Sequence, residues 1–185
     1  LVGSSTAVLQ SCCDHSYNLV ANPAGGDGKV ARFTVRSTDP HVKGNVRSEI
    51  RVLSNPLGSD SWYRASIFVP DDWQVSPTKV LALQWHASKD FFIGEKGRIP
   101  PLEITIEGEE WHVQKAFDTR IRSANNTRGN VESVVDIGTA PLESGRWVDW
   151  VVYAHWSYGD NGRITIWKDG KMIIDDKGAN AHRDL

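Results

Sequence analysis

The residues best suited to chemistry are Gln84 and His86, at the end of the stretch Lys-Val-Leu-Ala-Leu-Gln-Trp-His-Ala-Ser spanning 79–88. Val80, Leu81, Ala82 and Leu83 form a short apolar run, as a buried strand does, and the character changes at Gln84. Side chains two apart on a strand share a face, so Gln84 and His86 project together and Trp85 projects from the other side. An amide donor beside an imidazole can read a carboxylate and move a proton. Upstream, Arg47-Ser48-Glu49-Ile50-Arg51 sets Arg47, Glu49 and Arg51 on one face of a second strand. Ile50 and Val52 are expected on its core side. Arg47 and Arg51 attract carboxylates, and Glu49 can hold one guanidinium in position. Each segment also has an ordinary reading, as a polar strand end and a solvated charged face.

Other residues belong to the same inventory. His41, in Asp39-Pro40-His41, precedes the arginine strand and reads as a surface loop histidine or a second proton-transfer group. His112 and His155 read as structural or surface residues. Glu103 and Glu107 are four apart on one strand and point the same way, setting two carboxylates on one face. Asp71-Asp72 and Asp175-Asp176 are carboxylate pairs of the kind that can share a structural Ca²⁺. Acidic turns are commonly just solvated, and no catalytic metal or other cofactor is expected. Cys12 and Cys13 are the only cysteines. Strand neighbours point apart, so the pair makes a poor staple, and two cysteines cannot complete a zinc site.

The elements that must position these residues read as strands. Lys29–Arg36, Val46–Leu53, Trp62–Val69, Leu102–Glu107, Trp111–Lys115 and Trp147–Trp156 show strand patterning, with weaker segments at Arg120–Ser123 and Ser133–Ile137. Gly108-Glu109-Glu110 reads as a hairpin turn, and Asp160-Asn161-Gly162 and Asp169-Gly170 as tight turns into Arg163–Lys168 and Lys171–Ile174. A long loop, Lys89–Pro101, separates the Gln84 strand from the next. No segment sustains a 3.6-residue apolar period. Some ten short strands with almost no helix predict an all-β sandwich of the jelly-roll (concanavalin-like) kind, with one concave sheet able to cradle a polymer.

The 185 residues suit a single domain, 1–185, and the formal net charge of −2 does not suggest capture of nucleic acid or an anionic membrane. No apolar run approaches a membrane span. A monomer is expected. The eight tryptophans are rich for this length. Sugar-binding proteins use such rings, although most of these are expected in the core. Residues 1–9 lack the basic start of a signal peptide but fit the remainder of a processed one, so the expected location is secreted or extracellular, with the periplasm as an alternative. Asn125-Asn126-Thr127 matches a glycosylation acceptor.

Arg-Ser-Glu-Ile-Arg followed by Gln-Trp-His resembles the Arg-x-Glu-Leu and Gln-x-His strands of jelly-roll polysaccharide lyases. The stretch 147–174, with Trp-Ser after a long strand and Gly-x-x-x-x-Trp-x-x-Gly, is most similar to the glucuronan and heparin-lyase-like branch. The resemblance spans about Gly28 to Asp184. It implies β-elimination on a 4-linked uronic acid polymer, an anionic polysaccharide. Arg47 and Gln84 match the positions that neutralise the uronate carboxylate, and His86 matches the proton-transferring histidine. Glu49, Arg51, His41 and Tyr158 are then candidate substrate-binding residues. The family also uses a tyrosine on a late strand reading Tyr-x-Lys-x-Gly-x-Tyr, which is not found here. The chain reads as a jelly roll lacking its last strand, and Tyr153 and Tyr158 are the only late tyrosines. Two rival readings remain. One is a non-catalytic lectin or laminin-G-like module with the same groove. The other is a retaining jelly-roll hydrolase using Glu103 and Glu107, whose family pattern has an Asp where this chain has Thr105.

Overall fold

The structure is a computed structural model, and it describes residues 7–52, 56–76, 78–95, 97–122 and 133–183. The glycosylation pattern at 125–127 lies outside them. The chain divides into two compact units, 1–54 and 55–185.

The first unit holds two antiparallel ribbons. β1 (Val8–Ser11) pairs with β4 (Ser48–Arg51), and β2 (Tyr17–Ala21) pairs with β3 (Lys29–Phe33). Neither β1 nor β2 was among the expected strands, and β3 and β4 are shorter than their sequence patterns. The expectation that Ile50 and Val52 turn to a core is not met: they are 42 % and 52 % exposed, as is Leu9 opposite Ile50 at 45 %. A two-stranded ribbon has no layer of its own to bury an apolar side. Cys12 and Cys13 are also not a strand pair. They lie in the bend after β1 and are joined by a disulfide. A bond between neighbours closes no loop of chain and therefore restrains the unfolded state very little.

The second unit is the sandwich. Its strands are β5 (Asp60–Phe68), β6 (Val80–Trp85), β7 (Leu102–Glu107), β8 (Glu110–Phe117), β9 (Ser133–Pro141), β10 (Trp147–His155), β11 (Arg163–Lys168) and β12 (Lys171–Lys177). They form two four-stranded antiparallel sheets, ordered β6-β7-β8-β9 and β12-β11-β10-β5. The segment expected as a strand at 120–123 is not one in its described residues 120–122. Hairpin turns follow the sequence: Asp169 and Gly170 both have positive φ, 51° and 77°, as a type I′ turn requires.

The two sheets bury one core between them. Leu102, Ile104, Trp111 and Val113 from one meet Val148, Trp150, Ile164 and Ile166 from the other. Trp111 and Trp150 cross edge to face with centroids 5.1 Å apart. Alternation is cleanest in β10, where Val148, Trp150, Val152 and Ala154 are buried and the residues between them are not. Five tryptophans, 73, 85, 111, 150 and 156, belong to or pack against this core. Trp62 does not: it is 64 % exposed and stacks on Trp167, on the outer face of its sheet. Lys115 is buried and reaches from β8 to an ion pair with Asp176 of β12.

Candidate active site

β6 is an edge strand whose partner β7 is almost wholly buried on one face. The register Trp85↔Leu102 and Gln84↔Glu103 sends Trp85 to the core and Gln84 to the outer face. An irregularity between Leu81 and Leu83 lets Ala82 and Leu83 both pack against the core, which breaks strict alternation before Gln84 is reached. The register continues the outer row across the sheet as Gln84, Glu103, Gln114 and Asp136. Glu103 receives Lys79 Nζ at 2.6 Å, and Gln114 donates to Asp136 at 2.7 Å. Beside this row runs a second, Leu81, Thr105, His112 and Thr139. Leu81 apart, the two rows are polar, with Glu103 tied to Lys79 and Asp136 to Gln114.

His86 is the first residue beyond β6 and is exposed. Its Nδ1 lies 2.8 Å from the Ala87 carbonyl oxygen. A carbonyl can only accept, so Nδ1 carries the hydrogen, and the neutral ring presents Nε2 as its lone pair. In that tautomer Nε2 can accept a proton and cannot donate one.

Arg47, Glu49 and Arg51 belong to the first unit. Arg47 Nη1 donates to Glu49 Oε1 at 2.9 Å and to Gln10 Oε1 at 3.4 Å, where Gln10 is the β1 residue opposite Glu49. Glu49 does hold Arg47, as its position two residues away suggested. Arg51 is exposed at the end of β4, and His41 is exposed beside the Val42–Asn45 bridge.

Tyr158 follows β10 and is exposed, with the Arg183 guanidinium 5.5 Å from its ring centre. It lines a shallow depression with Leu57, Gly58, Trp156 and Asn161. No contact among the described residues joins it to Gln84 or His86. Tyr153 is on the wrong face. It projects from the outer side of β10 beside Trp62 and donates to Asp60 at 2.9 Å, so the core separates it from Gln84. The hydrogen bond to Asp60 raises the Tyr153 phenol above its usual range. His155 shares that face and also bonds Asp60.

Of the carboxylate pairs, Glu103 and Glu107 do share the outer face of β7, with Thr105 between them donating to Glu107 at 3.2 Å. Asp175 and Asp176 do not form a shared Ca²⁺ site. Successive strand residues point apart, and Asp175 is engaged by Arg163 while Asp176 is engaged by Lys115. The one close group of metal-type ligands among the described residues is Cys12, Cys13 and Asp39, and its two sulfurs are bonded to each other.

The polysaccharide lyase family model matches residues 3–185. The chain belongs to the polysaccharide lyase family. A solved structure with the same fold is the endo-β-1,4-glucuronan lyase of the fungus Trichoderma reesei, at a TM-score of 0.75 and 19 % identity, covering 98 % of this chain and 72 % of that one. No curated protein matches this chain. The jelly-roll sandwich and the lyase activity expected from the strand motifs therefore hold. Gln114 and Asp136 of the outer row were not singled out from the sequence, and His112, read there as structural or surface, lies in the row beside them. The alternation of Trp111, Val113 and Lys115 with His112 and Gln114 was the available signal.

Proposed function

We propose that this lyase cleaves a 4-linked, uronic-acid-containing polymer, with Gln84 and His86 at the centre of the reaction. One observation carries the assignment: the Nδ1–H of His86 is committed to the Ala87 carbonyl, leaving Nε2 as a base two residues from an amide on an edge strand of the sandwich. The C5 proton of a uronate is poorly acidic because the adjacent carboxylate is negative. The Gln84 amide hydrogen-bonds that carboxylate, and the charge growing on it in the transition state strengthens the bond. Arg47 is assigned the same neutralising task from its strand motif, and Glu49 and Gln10 fix its guanidinium. Arg51, His41 and Tyr158 are assigned to the polymer more loosely, as contacts along it.

In the step itself, His86 Nε2 takes the C5 proton. The electron pair of the C5–H bond becomes the C4=C5 double bond, and the C4–O4 bond breaks with its pair going to O4. The imidazolium then carries the proton that O4 needs as it leaves. Side chains supply every charge that moves, so this reading calls for no cofactor. The solved relative acts on glucuronan, which supports a glucuronate-type polymer as the first substrate to try. We place the protein outside the cell as a monomer.

Wild type, Gln84→Ala and His86→Ala are incubated with glucuronan, alginate and heparin-like chains, and the ultraviolet absorbance of the unsaturated uronate is followed. Both substitutions are expected to lower the rate at least about a hundredfold. Reducing ends released without that absorbance would instead point to Glu103 and Glu107 as a hydrolytic pair.

A further inference from the structure

Five residues after His86, the chain enters a turn whose outer surface is aromatic. Phe91, Phe92 and Ile93 make a short 3-10 turn, closed by Gly94 in the left-handed region with its N–H donated to the Phe91 carbonyl at 3.0 Å. Phe91 is 73 % exposed and Phe92 is fully exposed, the most exposed large apolar side chain among the described residues. An isolated exposed leucine needs no explanation, but two adjacent rings on one turn form an apolar patch.

The turn is also held hard. Arg98 and Glu95 are buried and joined at 2.9 Å, and Arg98 also donates to Asp90 at 3.2 Å and to the Arg183 carbonyl at 3.1 Å. The Glu95 carboxylate accepts the Asp90 N–H at 2.7 Å, and the Glu95 N–H returns to the Asp90 carbonyl. Burying an ion pair is expensive, and breaking it by losing one partner costs more still, so the bonds around it resist rearrangement. Here the geometry fixed is that of the two phenylalanines.

The charges sort by side. Asp90 and Glu95 turn inward to Arg98, whereas Lys89 Nζ sits 4.6 Å from the centre of the Phe91 ring and Arg122 bonds the Gly94 carbonyl at 3.0 Å. The outer surface thus pairs aromatic faces with cations.

We propose that the Phe91–Phe92 turn, five residues along the chain from His86, is a sugar-stacking platform that receives a uronate ring of the polymer. A pyranose has an apolar C–H face that lies on an aromatic ring, and the carboxylate of a uronate complements Lys89 and Arg122. A rigid platform adds affinity because no loop must be ordered on binding. The inference rests on the uronate-polymer reading and names one binding position within it.

Affinity electrophoresis in gels containing glucuronan, alginate or a neutral β-glucan measures binding without turnover, and the absorbance assay is run beside it. Phe92→Ala is expected to weaken retention by an anionic polymer roughly tenfold, equivalent to about 1.4 kcal/mol. Phe92→Trp is expected to restore it, with the melting temperature of both variants unchanged. Lys89→Met should weaken binding to the anionic polymers and leave the neutral one unaffected. Wild type that binds a uronate polymer without cleaving it, with Phe92→Ala binding less, would sink the elimination chemistry and support the platform. Active wild type whose Phe92→Ala variant binds within twofold would overturn the platform alone. Wild type that binds no uronate polymer would overturn both, as would preference for the neutral chain.

Discussion

Replacing Arg98 by methionine should destabilise the sandwich unit by about 3–5 kcal/mol. The magnitude follows from the burial on both sides: the Arg98 side chain is 1 % exposed and the Glu95 side chain is 0 % exposed. The substitution keeps most of the volume, so a cavity is not the cause. What remains is a carboxylate without its cation, plus the loss of the bond to the Arg183 carbonyl. In a chain of this size each kcal/mol moves the melting temperature by about 2–4 °C, so the fall should be about 6–20 °C. Replacing both partners, Arg98→Met with Glu95→Leu, removes the desolvated charges together and should recover most of that loss. Asp90 keeps access to water, with its side chain 23 % exposed, and does not recreate the problem. Urea unfolding of the wild type, both single variants and the double variant gives the coupling directly. A loss under about 1 kcal/mol for Arg98→Met, or a double variant as unstable as the sum of the singles, would refute the reasoning.

Other outcomes follow from the same structure. Burial lowers the His182 imidazole below its ordinary 6.5, and its Nε2 donates to the Ile99 carbonyl at 2.8 Å. The unfolded chain therefore takes up this proton first, so stability falls as pH drops below 6.5 towards the folded value, and His182→Gln should flatten that part of a melting-temperature profile against pH. A β-carbon at Gly162 would collide with the Gly178 carbonyl oxygen, which accepts no displacement without moving the turn. Gly162→Ala should cost about 1–3 kcal/mol in urea unfolding, and an unchanged midpoint would show that the turn yields. The aromatic turn makes the fourth prediction, a tenfold loss of polymer retention in Phe92→Ala.

The fold was legible wherever a strand had a core to alternate against. β7, β10 and β11 were read nearly to the residue, because Leu102, Ile104, Trp150 and Ile164 each face a filled interior. The first unit was read only in part: β3 and β4 fall within expected strands, and β1 and β2 do not. Its ribbons leave Leu9, Leu19, Phe33 and Ile50 exposed, so period-two patterning there did not report burial. The Gln84 strand was read correctly in sending Trp85 inward and Gln84 outward, because the break in alternation at Ala82 precedes both. His86 was expected on the strand and lies one residue past it, where an exposed ring bonds the next carbonyl. That bond could not be anticipated, because it depends on the local path of the backbone and not on residue type. Asp175 and Asp176 are engaged by different cations on opposite faces, as strand neighbours must be. The Glu95–Arg98 pair escaped notice because burial of a charge pair in a loop has no periodic signature.

The central claim is that an imidazole base at His86, beside the amide of Gln84, eliminates across C4–C5 of a uronate. The most direct measurement is the ultraviolet absorbance released from glucuronan by wild type, Gln84→Ala and His86→Ala at equal, verified folding. The account predicts a steady rise with wild type and a loss of at least about a hundredfold in each variant. A rise that persists in His86→Ala at near the wild-type rate would contradict it.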